Sequence, residues 1–146
     1  MFGYSKKELM KSKVEVLMSQ VYAKVHDRFV SNYVSTMRGS MIGKERFVLA
    51  KHKSSYLIPV TIYIKAMEDI SMQTLHFCAY FKQENNLKPA GYLLTFPNGN
   101  MIDISSGMLQ LLGVTSDDMD ADTNIEAWVS WPLKISFLGS WTMWMI

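Results

Sequence analysis

His26 is the side chain best suited to chemistry, because an imidazole binds metals and titrates near neutral pH. Asp27 follows it directly, and Arg46 supplies a cationic hydrogen-bond donor further along the chain. An imidazole ligand combined with a second, distal donor is what the binding of a small gas at a metal requires. The alternative is that His26 lies at the edge of the core and pairs locally, with Arg46 as a structural ion-pair partner.

The remaining reactive residue types predict no catalytic site. Cys78, the one cysteine, stands between Phe77 and Ala79 and is expected to be a small buried apolar residue. The acidic run that starts at Asp118 lacks the Gly and the final Glu of a calcium loop, so we interpret it as solvated. The sequence contains no Gly-rich phosphate loop, no His-Glu-x-x-His and no Gly-x-Ser-x-Gly. We therefore expect that the protein is not an enzyme.

Helices are predicted before the strands. Ser5 and Glu8 form a capping box that starts a short helix at about Lys6. A second, amphipathic helix follows and is expected to end at Gly39. Its apolar stripe is typical of a core face that also lines a pocket. The stripe consists of Met18, Tyr22, Val25, Phe29, Tyr33 and Met37, widened by Val21, Val30 and Val34.

Five strands and one more helix complete the expected elements. Alternating apolar residues predict strands over 45–51, 56–65 and 74–82, and a Pro-Asn-Gly-Asn turn predicts a hairpin between 91–96 and 101–104. A short helix over 106–112 follows. The fold class is therefore predicted to be α+β, with an antiparallel sheet covered by helices on one face.

Charge divides the 146-residue chain into two units. Residues 1–85 hold 13 Lys and Arg against 7 Asp and Glu, whereas residues 86–146 hold 2 against 6. This change of sign predicts one unit over 1–86 and a second over 87–122. Residues 123–146 contain all four Trp and are interpreted as a tail that is not native-like. The net charge of +2 gives no reason to expect a nucleic-acid partner.

An internal repeat supports the division. Residues 2–9 and 112–119 share one pattern of apolar, Gly, apolar, hydroxyl, two variable positions, acid and apolar. Both copies therefore predict a glycine before a capped helix start.

A set of spaced residues along positions 1–82 points to a known family: Phe2-Gly3-Tyr4-Ser5, Leu17-Met18, His26-Asp27, Ile42-Gly43-Lys44-Glu45-Arg46 and Pro59-Val60. In these residues the chain resembles the PAS domain family, from the third or fourth element to the last strand. Residues 90–119 resemble the opening of another PAS domain. The greatest resemblance is to PAS segments of tiny-macrocyst-type large membrane proteins of unicellular eukaryotes, with similarity to the haem PAS of the nitrogen-fixation oxygen sensor.

The resemblance implies a PAS sensory and protein-interaction module of signal transduction, a fragment of a larger signalling or membrane protein. Its partner would be another protein or another PAS domain, with a small-molecule ligand as a second binding partner. The location would be the cytoplasm or the cytoplasmic part of a membrane protein. The resemblance leaves the cofactor unknown. One alternative is a ligand-free structural interaction domain.

The other alternative is a haem-based gas sensor. The resemblance to the haem PAS implies that His26 binds the iron, Arg46 senses the gas, and Met41, Ile62 and Ile64 line the cofactor pocket.

The first strands of the family are missing before residue 1, so we expect a truncated or permuted PAS-like sheet. In a permuted domain or a swapped dimer, residues 91–96 would pair antiparallel with residues 74–82. The alternative is a fragment of two tandem domains.

Overall fold

The computed structural model describes residues 1–69, 71, 73–83, 91–118 and 123–124. The helices are α1 (Lys6–Leu9), α2 (Gln20–Thr36) and α3 (Ser106–Leu112), with short 3₁₀ helices at Val14–Leu17 and Ser116–Asp118. The strands are β1 (Glu45–Lys51), β2 (Leu57–Asp69), β3 (Thr74–Gln83), β4 (Leu93–Thr95) and β5 (Met101–Ile104).

Strands β1, β2 and β3 form one antiparallel sheet in that order, and β4 pairs with β5 in a second, two-stranded sheet. With the helices, these sheets give the α+β fold class that the sequence predicts. Strand β1 has its predicted bounds, whereas β2 runs four residues beyond the predicted end at Lys65. Ser55, in the turn before β2, has a φ of 66°, a left-handed conformation that usually favours glycine.

One core cluster lies on the face of the larger sheet that we call the inner face, while the fully buried Leu57 points to the opposite face. Ala50, Ile58 and Val60 form its centre. The β2 residues that share this face continue through Ile62 and Ile64, because alternate residues of a strand point the same way. The Phe2 ring packs edge-on against Phe81 of β3, with ring centroids 5.1 Å apart. The N-terminal residues therefore cover part of the inner face.

Helix α1 begins as predicted. The Ser5 Oγ accepts from the Glu8 amide, and the Glu8 carboxylate accepts from the Ser5 amide. Glu8 also accepts from the Lys53 ammonium in the turn after β1. The pKa of Glu8 is lowered to about 2, first because Lys53 donates to the carboxylate and then because Ser5 does. The cap thus ties α1 to the sheet.

Helix α2 differs from the prediction at its end and in its burial. It ends at Met37, which has a φ of 52°, and not at Gly39. A side chain at Gly39 would meet the Tyr33 ring at 2.9 Å, so this glycine permits close packing after the helix. None of the α2 residues is buried. The stripe is therefore a core face only in part: Met18, Val25, Val30 and Tyr33 are half-buried, whereas the other five residues of the stripe are exposed.

The hairpin of β4 and β5 packs against the start of β2 and the end of β1. Ser105 forms a parallel bridge with Leu57 and caps α3 by accepting from the Met108 amide. The Tyr92 ring lies 5.8 Å from that of Phe47. Adding a Cβ at Gly91 would place it 2.8 Å from the Met108 backbone, so only glycine permits this approach.

The pairing expected of a permuted domain is not formed among the described residues, because β3 pairs with β2 and β4 pairs with β5. Contacts at the other end of the larger sheet hold the hairpin instead. The boundary at residues 86 and 87 stays a prediction, since residues 84–90 lie outside the described residues.

Both copies of the internal repeat contain a left-handed glycine, Gly3 with φ 76° and Gly113 with φ 68°. In the second copy the Asp118 carboxylate accepts from the Thr115 amide and hydroxyl. These bonds lower the pKa of Asp118. The two turns thus share their backbone conformation and the bond from the cap amide to the acidic side chain. They differ at the cap hydroxyl, which accepts from the Glu8 amide in the first copy and donates to Asp118 in the second.

The Trp-rich tail lies outside the described residues, apart from Thr123 and Asn124, and so do Asp120 and Asp122 of the acidic run. Within the described ranges, no helix has the length and apolar character needed to cross a membrane.

Candidate functional site

Helix α2 presents a large apolar surface to solvent. Tyr22 and Phe29 are 49% and 45% exposed, and Val21, Val34 and Met37 are also exposed. The helix is fixed to the inner face through Tyr33, whose ring packs edge-on against Phe77 of β3 at 5.7 Å. We call the five exposed residues the α2 stripe. Several large apolar side chains exposed along one helix are a feature of interaction surfaces.

A cavity lies where the end of α2 meets the turn between β2 and β3. It is an open depression with a volume of about 410 Å³. Val34, Met37 and Leu75 form its apolar part. Two residues of its lining, Met37 and Gln73, have positive φ, at 52° and 51°. Such backbone conformations cost energy and occur often at ligand sites.

The charge around the cavity is negative. Glu68 and Asp69 line it, and the described lining contains no Lys or Arg. Met37 caps the C-terminal end of α2, where free carbonyl groups carry partial negative charge. Asp69 also accepts from the Ser71 amide and hydroxyl. The cavity therefore favours an apolar ligand that is neutral or positively charged over one that is anionic.

His26 projects toward the first 3₁₀ helix. Its Nδ1 lies 3.1 Å from Oε1 of Glu15, and both side chains are largely buried. The pKa of Glu15 lies below its usual value, first because its own backbone amide donates to the carboxylate and then because His26 does. Oε2 of Glu15 is buried and has no hydrogen-bond partner among the described residues. The pair holds the start of α2 against the preceding 3₁₀ helix.

Glu15, His26 and Asp27 each offer one ligand atom within 4.8 Å of the others, so they could hold a metal ion. Asp27 is exposed and lies 3.8 Å from the Lys13 ammonium, which would oppose a bound cation. The arrangement is therefore suited first to a local ion-pair network.

The other four residues predicted for a haem site lie on the sheet or beside it. Arg46 and Ile62 are paired across β1 and β2, and Ile64 is bridged to Ile42, the residue after Met41. The Arg46 guanidinium donates to the Ser40 carbonyl. Within the described part of the chain, no hydrogen bond or ion pair joins His26 to these four residues.

None of the five predicted residues lines the described cavity. The haem site of His26, Arg46, Met41, Ile62 and Ile64 stays a prediction from the resemblance. Cys78 is partly buried on β3 and is a free thiol.

Sequence reasoning missed Glu15 and the ion pair between Lys51 and Asp103. The role of Glu15 could not be predicted from the sequence, because its partner His26 is eleven residues away on another element. Asp103 gave one signal: it is a charged residue within an otherwise apolar strand. Its partner could not be found, because the contact joins residues that are far apart in sequence.

No family model matches the chain. A stretch of 64 residues is 33% identical to a probable serine/threonine-protein kinase of Dictyostelium discoideum. The match covers 44% of this chain and 4% of that protein, so the chain corresponds to a small part of the relative's length.

Proposed function

We propose that the chain is a PAS-like sensory and protein-interaction module of a larger signalling protein. The observation that carries the proposal is the α2 stripe, which stays exposed while the same helix borders a cavity on the inner face of an antiparallel sheet. A helix so placed contacts both a ligand in the cavity and a partner on the stripe.

The mechanism follows from that position. Tyr33 on α2 and Phe77 on β3 hold the helix to the sheet through one aromatic contact. A ligand that fills the cavity would change the packing of α2 against β3 and so alter the stripe that a partner binds. A ligand acts in this way only by binding one conformation more tightly than the other.

The segment similar to this chain is a small part of a long protein that is a probable kinase. The similarity is therefore compatible with a role in signalling. The chain itself lacks the Gly-rich phosphate loop on which kinases rely. We therefore propose a sensing or docking role, not catalysis.

A titration of the ¹⁵N-labelled protein with three six-carbon compounds tests the proposal: 1-hexanol, n-hexylamine and hexanoate. We expect saturable shifts at the amides of Val34, Met37 and Leu75 with the alcohol and the amine. Hexanoate should bind at least about tenfold more weakly, because Glu68 and Asp69 repel its carboxylate.

Two matched variants control the experiment. Val34→Phe fills the cavity and should abolish the shifts, whereas Val21→Phe lies elsewhere on the exposed side of α2 and should not. Shifts scattered over the surface, or equal effects of the two variants, would contradict a binding cavity at this place.

A further inference from the structure

Strand β3 has one edge with no strand partner among the described residues. It is ten residues long and pairs with β2 along its other edge. A free edge exposes unpaired backbone N–H and C=O groups that can pair with another strand. Edge strands usually avoid this by being short or by carrying Pro or several Lys. Strand β3 contains no Pro, and Lys82 is its single Lys or Arg.

The inner face of β3 is apolar, the outer face mixes polar and apolar side chains, and both faces are partly open. Leu75, Phe77, Ala79 and Phe81 share the inner face, because they stand opposite inner-face residues of β2. His76, Cys78, Tyr80 and Lys82 share the outer face. Tyr80 is 59% exposed and Phe77 is 38% exposed. A strand added at this edge would therefore meet apolar side chains on both faces.

A second copy of β3 fits this edge in one register. Two identical strands can pair antiparallel around a two-fold axis that is perpendicular to the sheet. Their inner-face residues then stand opposite each other only if the axis lies midway between the two copies of one residue. An axis at Cys78 places Leu75 opposite Phe81 of the second copy, and His76 opposite Tyr80. Thr74 then stands opposite Lys82, so every pair joins residues of similar kind and no like charges meet.

Moving the axis by one residue in either direction makes the match worse. An axis at Phe77 would pair only residues 74–80 of the two strands, seven residues in place of the nine that pair with the axis at Cys78. With the axis at Ala79, Leu75 would face Gln83 and His76 would face Lys82 of the second copy. The first pair joins an apolar to a polar side chain, and the second brings two basic groups together. Cross-strand pairs differ in stability by such matching.

We propose that two copies of the chain pair through β3, antiparallel and centred on Cys78, to form a continuous six-stranded sheet. The two Cys78 residues then stand directly opposite each other on the outer face. Opposite residues of an antiparallel pair have Cα atoms about 4.5–5.5 Å apart, a range that permits a disulfide. The pairing concerns the sheet edge, so its test is independent of the ligand test.

Oxidation of the full chain with diamide tests the register. We expect a disulfide-linked dimer on a non-reducing gel, formed through Cys78. In the variant Cys78→Ser with Tyr80→Cys, the two thiols would lie four residues out of register, about 13 Å apart, and should not link. Linking by both proteins equally would mean random collision and would overturn the register.

A charge exchange tests the pairing without oxidation. In His76→Lys with Tyr80→Lys, like charges would stand opposite each other, and the dimer dissociation constant measured by sedimentation should rise at least about tenfold. In His76→Glu with Tyr80→Lys, opposite charges meet and the dimer should persist. A wild-type chain that stays monomeric at about 100 µM, or two variants that dissociate equally while keeping their circular dichroism, would refute the proposal.

Discussion

The ammonium of Lys51, at the end of β1, lies 2.8 Å from Oδ1 of Asp103 in β5. The Asp103 side chain is 3% exposed, and its Oδ2 is buried with no hydrogen-bond partner among the described residues. This ion pair joins the two sheets of the protein. A buried charge is tolerated only while its partner stays in place.

Removing one side of the pair should destabilise the protein strongly. Lys51→Met leaves a buried unpaired carboxylate, and we expect a loss of about 3–5 kcal/mol in the free energy of unfolding, measured with urea. Lys53→Met is the control, because Lys53 lies in an exposed turn and pairs with an exposed carboxylate. In Lys51→Met with Asp103→Leu the loss should be smaller. Equal losses in the single and double variants would contradict a coupled pair.

Acid should weaken the α1 cap in a defined range. Because the pKa of Glu8 is lowered from 4.5 to about 2 in the folded protein, its contribution to stability is present above pH 4.5 and is lost as the pH falls toward 2. Lys53→Met removes the main cause of the shift. Titration of the Glu8 side chain by NMR should show its pKa rising toward 4.5 in that variant, and an unchanged pKa would show that Lys53 is not the cause.

The two repeat glycines should differ in their tolerance of a side chain. Both have positive φ, but a Cβ at Gly3 would lie 2.6 Å from the His52 ring, whereas one at Gly113 meets nothing within 4 Å. Gly113→Ala should therefore cost about 1 kcal/mol from backbone strain alone, and Gly3→Ala should cost more. Thermal unfolding of both variants measures the difference, and equal melting temperatures would contradict the clash.

The haem alternative has a direct optical test. The pairing of Nδ1 with Glu15 leaves Nε2 of His26 as the nitrogen that could bind iron, but none of the five residues predicted for a haem site lines the described cavity. We therefore expect that titration of the protein with haem gives no saturable Soret band that depends on His26. A saturable band in the wild type that is lost in His26→Ala would reverse this conclusion and assign His26 as the iron ligand.

Local patterns predicted the elements well, because they depend on residues close in sequence. Strand β1 and helix α3 have their predicted bounds, and Ser5 and Glu8 cap α1 as expected. Where α2 ends was not predictable from Gly39 alone, since Met37 adopts the left-handed conformation first.

Contacts between distant segments could not be predicted. From the sequence, pairing of residues 91–96 with β3 was as plausible as a fragment of two tandem domains. In the structure the hairpin is held instead by Lys51 and by the bridge between Leu57 and Ser105. Apolar periodicity also predicted the nine apolar residues that include the α2 stripe, but it did not predict that the five residues of the α2 stripe are exposed. Periodicity gives the direction of a helix face, whereas burial depends on what else lies there.

The central claim is that the α2 stripe is a binding surface and not a core face. Urea unfolding of Tyr22→Ser with Phe29→Ser, compared with Val60→Ala, tests it most directly. Val60 is fully buried, so its truncation should cost about 2–3 kcal/mol. If the stripe is a surface, the double variant should lose less than about 1 kcal/mol. A loss as large as that of Val60→Ala would mean that the two aromatic rings belong to the core, and the account of a binding surface would be wrong.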